Sequence, residues 1–198
     1  MTGSPVRFSV DYPEGPRDRI SVLFRPLLAI PIYIVYALLV GASVRAGFVS
    51  GVAGLFLATA LMIVFRQKYP RWWFDFLLQV VRFGTRVGAY VLLWRDEYPS
   101  TDEEQAVHVD LDYPDAAQLN RWMPLVKWLL AIPHVIVLAL LGIATLVVTV
   151  VAWFAILFTG TYPRSLFDFT VSVQRYGLRV SAYVLYLVTD RYPPFSLS

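Results

Sequence analysis

The chain has 198 residues and a formal net charge of +3, with 58% hydrophobic but only 16% charged residues. Soluble proteins carry roughly 45–50% apolar and about 25% charged residues, so this composition excludes a disordered chain and argues against a water-soluble globule. No cysteine and only two histidines are present, which excludes disulfides, thiol catalysis, cysteine zinc sites and iron–sulfur clusters.

The chain begins with a polar segment. Residues 1–19 include six charged side chains and no apolar core, so this segment does not have the pattern of a cleaved signal peptide. Apolar and polar residues alternate over Val6–Tyr12 and again over Ala106–Tyr113, which predicts two short strands, each ending at a Tyr-Pro pair. We expect these strands to pair with each other as a small cytoplasmic cap.

Apolar stretches long enough to cross a bilayer follow each predicted strand. The first half predicts spanning helices at about 20–44 and 46–65. In the second half, Leu125–Tyr162 would be roughly 57 Å long as one helix, compared with a hydrocarbon core of about 30 Å. We therefore predict two spans there, at about 120–140 and 143–160, with a tight turn near Leu141–Gly142.

The two halves of the sequence match each other in order, which predicts two parallel pseudo-repeats. Asp11-Tyr12-Pro13 recurs at 112–114, Leu28-Ala29-Ile30-Pro31 at 130–133, and Tyr69-Pro70-Arg71 at 162–164. Matched residues are 101 or 102 positions apart before the predicted hairpins and 93 apart after them, so the second hairpin is about nine residues shorter.

A segment with one narrow polar stripe follows each predicted hairpin. Arg71, Asp75, Gln79, Arg82 and Arg86 are spaced by 4, 4, 3 and 4 residues, and the spacing recurs from Arg164 to Arg179. On a helix these positions fall within an arc of about 80°. We therefore predict amphipathic helices at about 70–94 and 163–188, in which Asp75 and Asp168 pair with the arginines four residues earlier.

These helices could lie flat in the membrane interface or cross the membrane, giving four or six spans. In the four-span arrangement every Lys and Arg except Arg45 lies on the side opposite the hairpin tips, and the positive-inside rule makes that side cytoplasmic. Six spans would bury four arginines at membrane depth, which is costly. Charge placement thus favours an all-α, multi-pass protein of the bacterial inner membrane with flat helices and both termini in the cytoplasm.

This organisation divides the chain into a first repeat at 1–99, an acidic linker at 100–105 and a second repeat at 106–198. Asp96–Glu104 contains five acids and is predicted to be exposed. All tryptophans except Trp153 are predicted near the cytoplasmic boundary as interface anchors.

Several of these motifs resemble a bacterial membrane family known as domain of unknown function 4389, common in actinobacteria. The resemblance is closest from Trp122 to His134, at Arg179, Val180, Ala182 and Tyr183, and at Asp190-Arg191-Tyr192-Pro193-Pro194-Phe195. In the first half Ile32 replaces His134. The resemblance implies a membrane topology but no activity.

Cations near the helix ends are candidates for fixing helix depth by snorkelling or for binding anionic lipid headgroups, since arginine forks suit phosphate. The candidate headgroup residues are Arg19, Arg25, Arg82, Arg86, Arg121, Lys127, Arg175 and Arg179. The polar-stripe pairs are Arg71 with Asp75 and Arg164 with Asp168. His134 is a candidate ligand or proton-relay site, although a hydrogen-bonded buried histidine is the commoner case.

Three functions compete on this sequence. The leading hypothesis is a non-enzymatic membrane scaffold or accessory subunit that contacts membrane lipids and forms a homo-oligomer or joins a larger complex. The alternative is a transporter of a small solute, ion or lipid that uses the Arg/Asp stripes. A membrane enzyme is the least supported, because no nucleophile–base pair is recognisable. No cofactor, metal or nucleic-acid partner is expected.

Overall fold

The computed structural model describes the backbone of residues 5–40 and 47–197, and the side chains of residues 5–40 and 53–197. The described part is mostly helical, with one two-stranded sheet. In chain order its elements are β1 (Val6–Val10), α1 (Arg19–Leu39), α2 (Gly47–Arg66), α3 (Arg71–Val91), β2 (Val107–Leu111), α4 (Pro124–Leu130), α5 (Ile132–Thr159) and α6 (Arg164–Val184).

The two strands pair as predicted. β1 and β2 are antiparallel, with Phe8 opposite Val109. Their buried side chains alternate with exposed ones and face the helices. Because β1 lies near the N-terminus and β2 follows the linker, this pairing brings together segments that are about 100 residues apart.

The amphipathic helices α3 and α6 are confirmed, each 21 residues long. Both begin after a Tyr-Pro pair, where proline is tolerated. Both are followed by a leucine in the left-handed region, Leu93 with a φ of 65° and Leu187 with a φ of 54°. Their apolar faces are buried, whereas Asp75, Gln79 and Asp168 on the polar stripes are exposed.

The helices form a layer beside the sheet and a second layer beyond it. α3 packs on β2 and α6 on β1, while α1 packs on α3 and α5 packs on α6. α1 and α5 are long and apolar enough to cross a membrane, and only 6% of the apolar window of α5 is buried inside the protein. A helix so little covered by protein is typical of one surrounded by lipid.

The predicted turn near Leu141–Gly142 is wrong. α5 continues through these residues from Ile132 to Thr159, so the predicted spans at about 120–140 and 143–160 are not two helices. The second half has about nine residues fewer than the first at this place, and a single glycine costs a helix only about 1 kcal/mol. In the first half, the predicted turn and Arg45 lie at 41–46, outside the described residues.

Gly84 of α3 lies against the side chain of Tyr36 in α1. A Cβ atom at this position would lie 2.5 Å from the hydroxyl oxygen of Tyr36, whereas one at Gly177 of α6 would lie 3.8 Å from Leu138. We expect Gly84→Ala to lower the free energy of unfolding by about 1–3 kcal/mol through overpacking. Gly177→Ala is the matched control, expected to be neutral or slightly stabilising because alanine favours helix. Unfolding in mixed micelles would measure both, and equal effects would contradict this packing.

Candidate functional site

Arg25 lies at the first of two buried cation sites. Its side chain is 2% exposed. The guanidinium donates to the carbonyl oxygens of Tyr90, at 3.2 Å, and Arg95, at 2.7 Å, and forms an ion pair with Asp96. Its Cζ atom lies 4.4 Å from the centroid of the Tyr90 ring. Arg25 therefore fastens the start of α1 to the segment that follows α3.

Lys127 makes the corresponding contacts in the second half. It is 1% exposed, donates to the carbonyl oxygen of Thr189 at 2.6 Å, and pairs with Asp190 at 2.7 Å. Its Nζ atom lies 4.9 Å from the centroid of the Tyr183 ring. Lys127 thus fastens α4 to the segment that follows α6, as Arg25 does for α1.

Arg17 adds to the first buried cation site, where it also binds the segment that follows α3. It is buried and donates to the carbonyl oxygens of Trp94 and Leu93, each at 2.8 Å, and to Asp96 at 2.9 Å. Burial lowers the pKa of Arg17 below its ordinary value, and the carboxylate of Asp96 opposes that shift. A single acid therefore holds two buried guanidinium groups.

This geometry changes the lipid interpretation of Arg25 and Lys127. A snorkelling or headgroup-binding cation must reach the lipid surface, but both of these side chains are enclosed by protein and bound to protein oxygens. The two residues are structural cations, and we do not include them in a headgroup site.

Arg82 and Arg86 of the α3 polar stripe face the sheet and the segment between α3 and β2. Arg82 donates to the carbonyl oxygen of Val109 at 2.9 Å and lies 3.4 Å from Asp110. Arg86 donates to the carbonyl oxygen of Ser100 at 2.8 Å, so part of the acidic linker is bound rather than free. With Arg7, these two arginines line a polar cleft of about 950 Å³ between α3, the sheet and the linker.

In the second half Arg179 donates to the carbonyl oxygen of Ser196 at 2.8 Å. Burial lowers the pKa of Arg179, and the neighbouring charge of Arg175 lowers it further. Arg175 makes no hydrogen bond or ion pair with residues of the described ranges. The eight predicted headgroup residues are therefore distributed over several places and do not converge on one pocket.

Arg19 and Arg121 lie at helix ends and are exposed. Arg121 donates to the carbonyl oxygens of Val64, at 2.5 Å, and Phe65, at 3.0 Å, and so binds carbonyl groups at the end of α2. The Arg19 guanidinium lies against Gly160 just after α5. Each helix start is therefore in contact with a helix end from the other half.

The acids of the polar stripes pair as predicted. Asp75 lies 3.1 Å from Arg71, and Asp168 lies 3.4 Å from Arg164, and all four side chains are more than half exposed. Exposed pairs of this kind contribute only about 0–1 kcal/mol to stability. The two acids are on surfaces, not along a path through the protein.

His134 is fully buried. Its Nδ1 atom lies 2.5 Å from the hydroxyl oxygen of Tyr176, and its ring stacks on Phe195 at 4.1 Å between centroids. The histidine thus packs under the C-terminal Tyr192–Phe195 segment. Across the two described ranges, no group of three or more His, Asp or Glu side chains is placed to share a metal ion.

The prediction that Trp94 is an interface anchor is wrong. Trp94 is fully buried, and its indole Nε1 donates to Thr170 at 2.8 Å. Its ring lies 6.3 Å from those of Phe8 and Phe167, between centroids. Trp94 is therefore a core residue that joins the two halves, whereas Trp72 and Trp122 are exposed as expected.

Sequence analysis did not identify Asp96 and Asp190 as partners of the buried cations. Asp96 was assigned to an exposed linker. A signal was nevertheless present, because each acid stands two residues before the closing Tyr-Pro of its half.

Comparison with protein families agrees with the resemblance seen in the sequence. Residues 121–196 match the model of Domain of unknown function (DUF4389). The matched region is confined to the second half of the chain. Comparisons with curated proteins and with solved structures found no match.

The DUF4389 match contains every residue of the second buried cation site. It begins at Arg121 and includes α4, α5, α6 and the segment that covers His134. Lys127, Tyr183 and Asp190 all lie within it, so the second buried cation tie belongs entirely to the DUF4389-like region.

Proposed function

We propose that the chain is a non-enzymatic scaffold or accessory subunit of a complex in the bacterial cytoplasmic membrane. It is built from two pseudo-repeats, of which the second is the DUF4389-like one. In this proposal α1, α2 and α5 form a lipid-facing layer, α3 and α6 lie beneath it, and the sheet faces the cytoplasm. Anionic lipid headgroups contact the protein where these layers meet.

The observation that carries this proposal is that buried cations connect helices to other segments of the same chain. Arg25 and Lys127 each bind a backbone carbonyl and a carboxylate from the segment after α3 or α6, and each lies over the ring of a tyrosine in the last turn of that helix. Such contacts hold helices in one arrangement and engage both of these buried charges within the protein. A rigid body with a large apolar surface suits assembly within a membrane.

Strand pairing supports placing the N-terminus and the linker on one face of the membrane. A sheet cannot join segments on opposite faces, so β1 and β2 require an even number of crossings between them. Both ends of the continuous helix α5 lie beside helix ends that this proposal places at the same face. Gly160, just after α5, accepts a hydrogen bond from the backbone N–H of Arg17, before α1, and Arg121, before α4, donates to the carbonyl oxygen of Phe65 at the end of α2. In this proposal α5 therefore lies along the membrane without crossing it, which keeps both termini on the cytoplasmic side.

Transport is the competing function. In a transporter, Asp75 and Asp168 of the Arg/Asp stripes would be the acids that carry the coupled proton. We expect Asp75→Asn with Asp168→Asn to leave assembly intact, because each acid makes only an exposed pair with an arginine. The measurement is the mass of the complex purified in mild detergent, with ion or lipid flux recorded in proteoliposomes.

The scaffold proposal predicts a defined complex larger than one chain, for both the wild type and the double variant. A stable, lipid-free monomer would contradict it. Loss of a measurable flux in the double variant, with assembly unchanged, would instead establish the transporter.

A further inference from the structure

We propose that the junction between α2 and α3 binds the phosphate headgroup of an anionic phospholipid. The site is a cleft of about 590 Å³ lined by Gln67–Arg71 and Tyr113–Ala117, here called the junction cleft. None of its lining residues belongs to the set of cations selected from the sequence, except Arg71 as a stripe residue. This inference rests on the proposed membrane function, which brings the end of α2 to the headgroup level.

Positive charge is concentrated at this cleft. Lys68 and Arg71 line it and are exposed, while Arg66 and Arg121 lie at the same end of α2. Among the described residues, the side chains of Arg66 and Lys68 have no hydrogen-bond or ion-pair partner. α3 also begins here without a side-chain cap at Pro70, so its first N–H groups add to the positive potential.

The nearby acids do not cancel this charge. Asp115 lines the cleft but accepts hydrogen bonds from Gln118 and from the backbone N–H of Ala117. Asp75 is occupied by Arg71 alone. Four cations against two acids leave an excess of two positive charges for a phosphate.

One wall of the cleft is held in place by the second half of the chain. Tyr113 donates its hydroxyl to the carbonyl oxygen of Tyr69 at 2.5 Å. The Cζ atom of Arg71 lies 4.8 Å from the centroid of the Tyr113 ring. Stacking fixes the guanidinium plane. Its Nε atom is bound to Asp75, and its two terminal NH₂ groups are the ones that would bind phosphate oxygens, so little side-chain entropy is lost on binding.

The surroundings of the cleft favour a lipid over a free anion. Phe65, at the end of apolar α2, is 71% exposed, and Trp72 beside Arg71 is 68% exposed. Exposed aromatic residues next to basic ones are typical of the membrane interface. The acyl chains of a phospholipid whose phosphate is bound in the cleft would thus run along α2.

The matching junction in the second half lacks the two unpaired cations. Arg164 stacks on Tyr12 at 4.5 Å, as Arg71 stacks on Tyr113, but Thr159 and Thr161 stand where the first half has Arg66 and Lys68. The chain therefore supplies its own control, since Arg71 and Arg164 have equivalent contacts but different neighbours.

Native mass spectrometry of the purified full-length protein would test this site. The protein is presented with equal amounts of phosphatidylglycerol and phosphatidylcholine in detergent. We expect the wild type to retain phosphatidylglycerol preferentially, and Arg66→Gln with Lys68→Gln to weaken its binding roughly thirtyfold, because each of the two cations near a lipid phosphate contributes about 1 kcal/mol. Lys68→Gln alone is a milder variant, and thermal midpoints would verify folding.

Arg164→Gln is the matched control and should keep phosphatidylglycerol binding within about twofold of the wild type. Soluble glycerol phosphate distinguishes a lipid from a free phosphate, and we expect it not to displace the lipid at equal concentration. Equal loss in Arg164→Gln, unchanged binding in the folded double variant, or tight binding of soluble glycerol phosphate would overturn the proposal. The same spectra report the oligomer mass, so failure of the scaffold proposal is seen separately from failure of this site.

Discussion

Replacing Asp96 with alanine is expected to lower the free energy of unfolding by about 2–4 kcal/mol. The carboxylate binds two guanidinium groups, those of Arg17 and Arg25, whose side chains are almost fully buried. Removing one partner of a buried ion pair leaves an uncompensated charge and typically costs about 3–5 kcal/mol. The expected cost is lower here because Asp96 is one-third exposed and because backbone carbonyls still accept from both arginines.

Asp112→Ala is the matched control for this prediction. Asp112 also pairs with an arginine, Arg7, at 2.6 Å, but both side chains are more than half exposed. Its removal should cost less than about 1 kcal/mol. Unfolding in mixed micelles would measure both variants. A cost for Asp96→Ala no greater than that for Asp112→Ala would show that the Asp96 tie does not stabilise the fold.

Trp94→Ala is expected to have an effect of similar or larger size. The indole is fully buried between Phe8 and Phe167 and donates a hydrogen bond to Thr170. Removing a buried tryptophan leaves a large cavity and costs about 3–5 kcal/mol. Because Trp94 contacts both halves, we also expect the transition to lose cooperativity.

Two further variants separate the causes. Trp94→Phe keeps most of the volume and should lose about 1 kcal/mol, mainly from the hydrogen bond to Thr170. Trp72→Ala removes an exposed indole and should change the free energy of unfolding by less than about 0.5 kcal/mol. Similar costs for Trp94→Ala and Trp72→Ala in mixed micelles would contradict the core role of Trp94.

Local patterns were the most informative part of the sequence. The spacing of Arg71, Asp75 and Gln79 predicted α3, and the alternation around Phe8 and Val109 predicted the paired strands. Each pattern reflects the periodicity with which one helix or strand buries its side chains, so it can be recognised within a short stretch of sequence. Pairing of β1 with β2 could be anticipated because the two segments repeat each other.

Long-range contacts were not visible in the same way. Arg25 meets Asp96 across 71 positions of the chain, and a basic residue at the start of an apolar helix has the pattern of a snorkelling cation. Trp94 likewise looks like an interface anchor, because it stands among polar residues near the end of an amphipathic helix. In each case the burial depends on a segment that only the folded chain brings close.

The continuity of α5 was missed for a different reason. The predicted turn depended on the thickness of a bilayer, not on a helix-breaking residue, and Gly142 is the only local signal there. Gly142 lies on an open surface of the helix, where a Cβ atom would meet nothing within 4 Å. Without proline or a polar turn, the helix continues.

Site-directed labelling is the most direct test of the proposed arrangement. The chain contains no cysteine, so Glu14→Cys, Thr101→Cys and Leu197→Cys each give one reactive group at an exposed position. A membrane-impermeant maleimide is applied to inverted and right-side-out vesicles. We predict that all three positions react only from the cytoplasmic face. Labelling of Thr101→Cys from the face opposite to Glu14→Cys and Leu197→Cys would contradict the proposed arrangement of sheet, linker and termini.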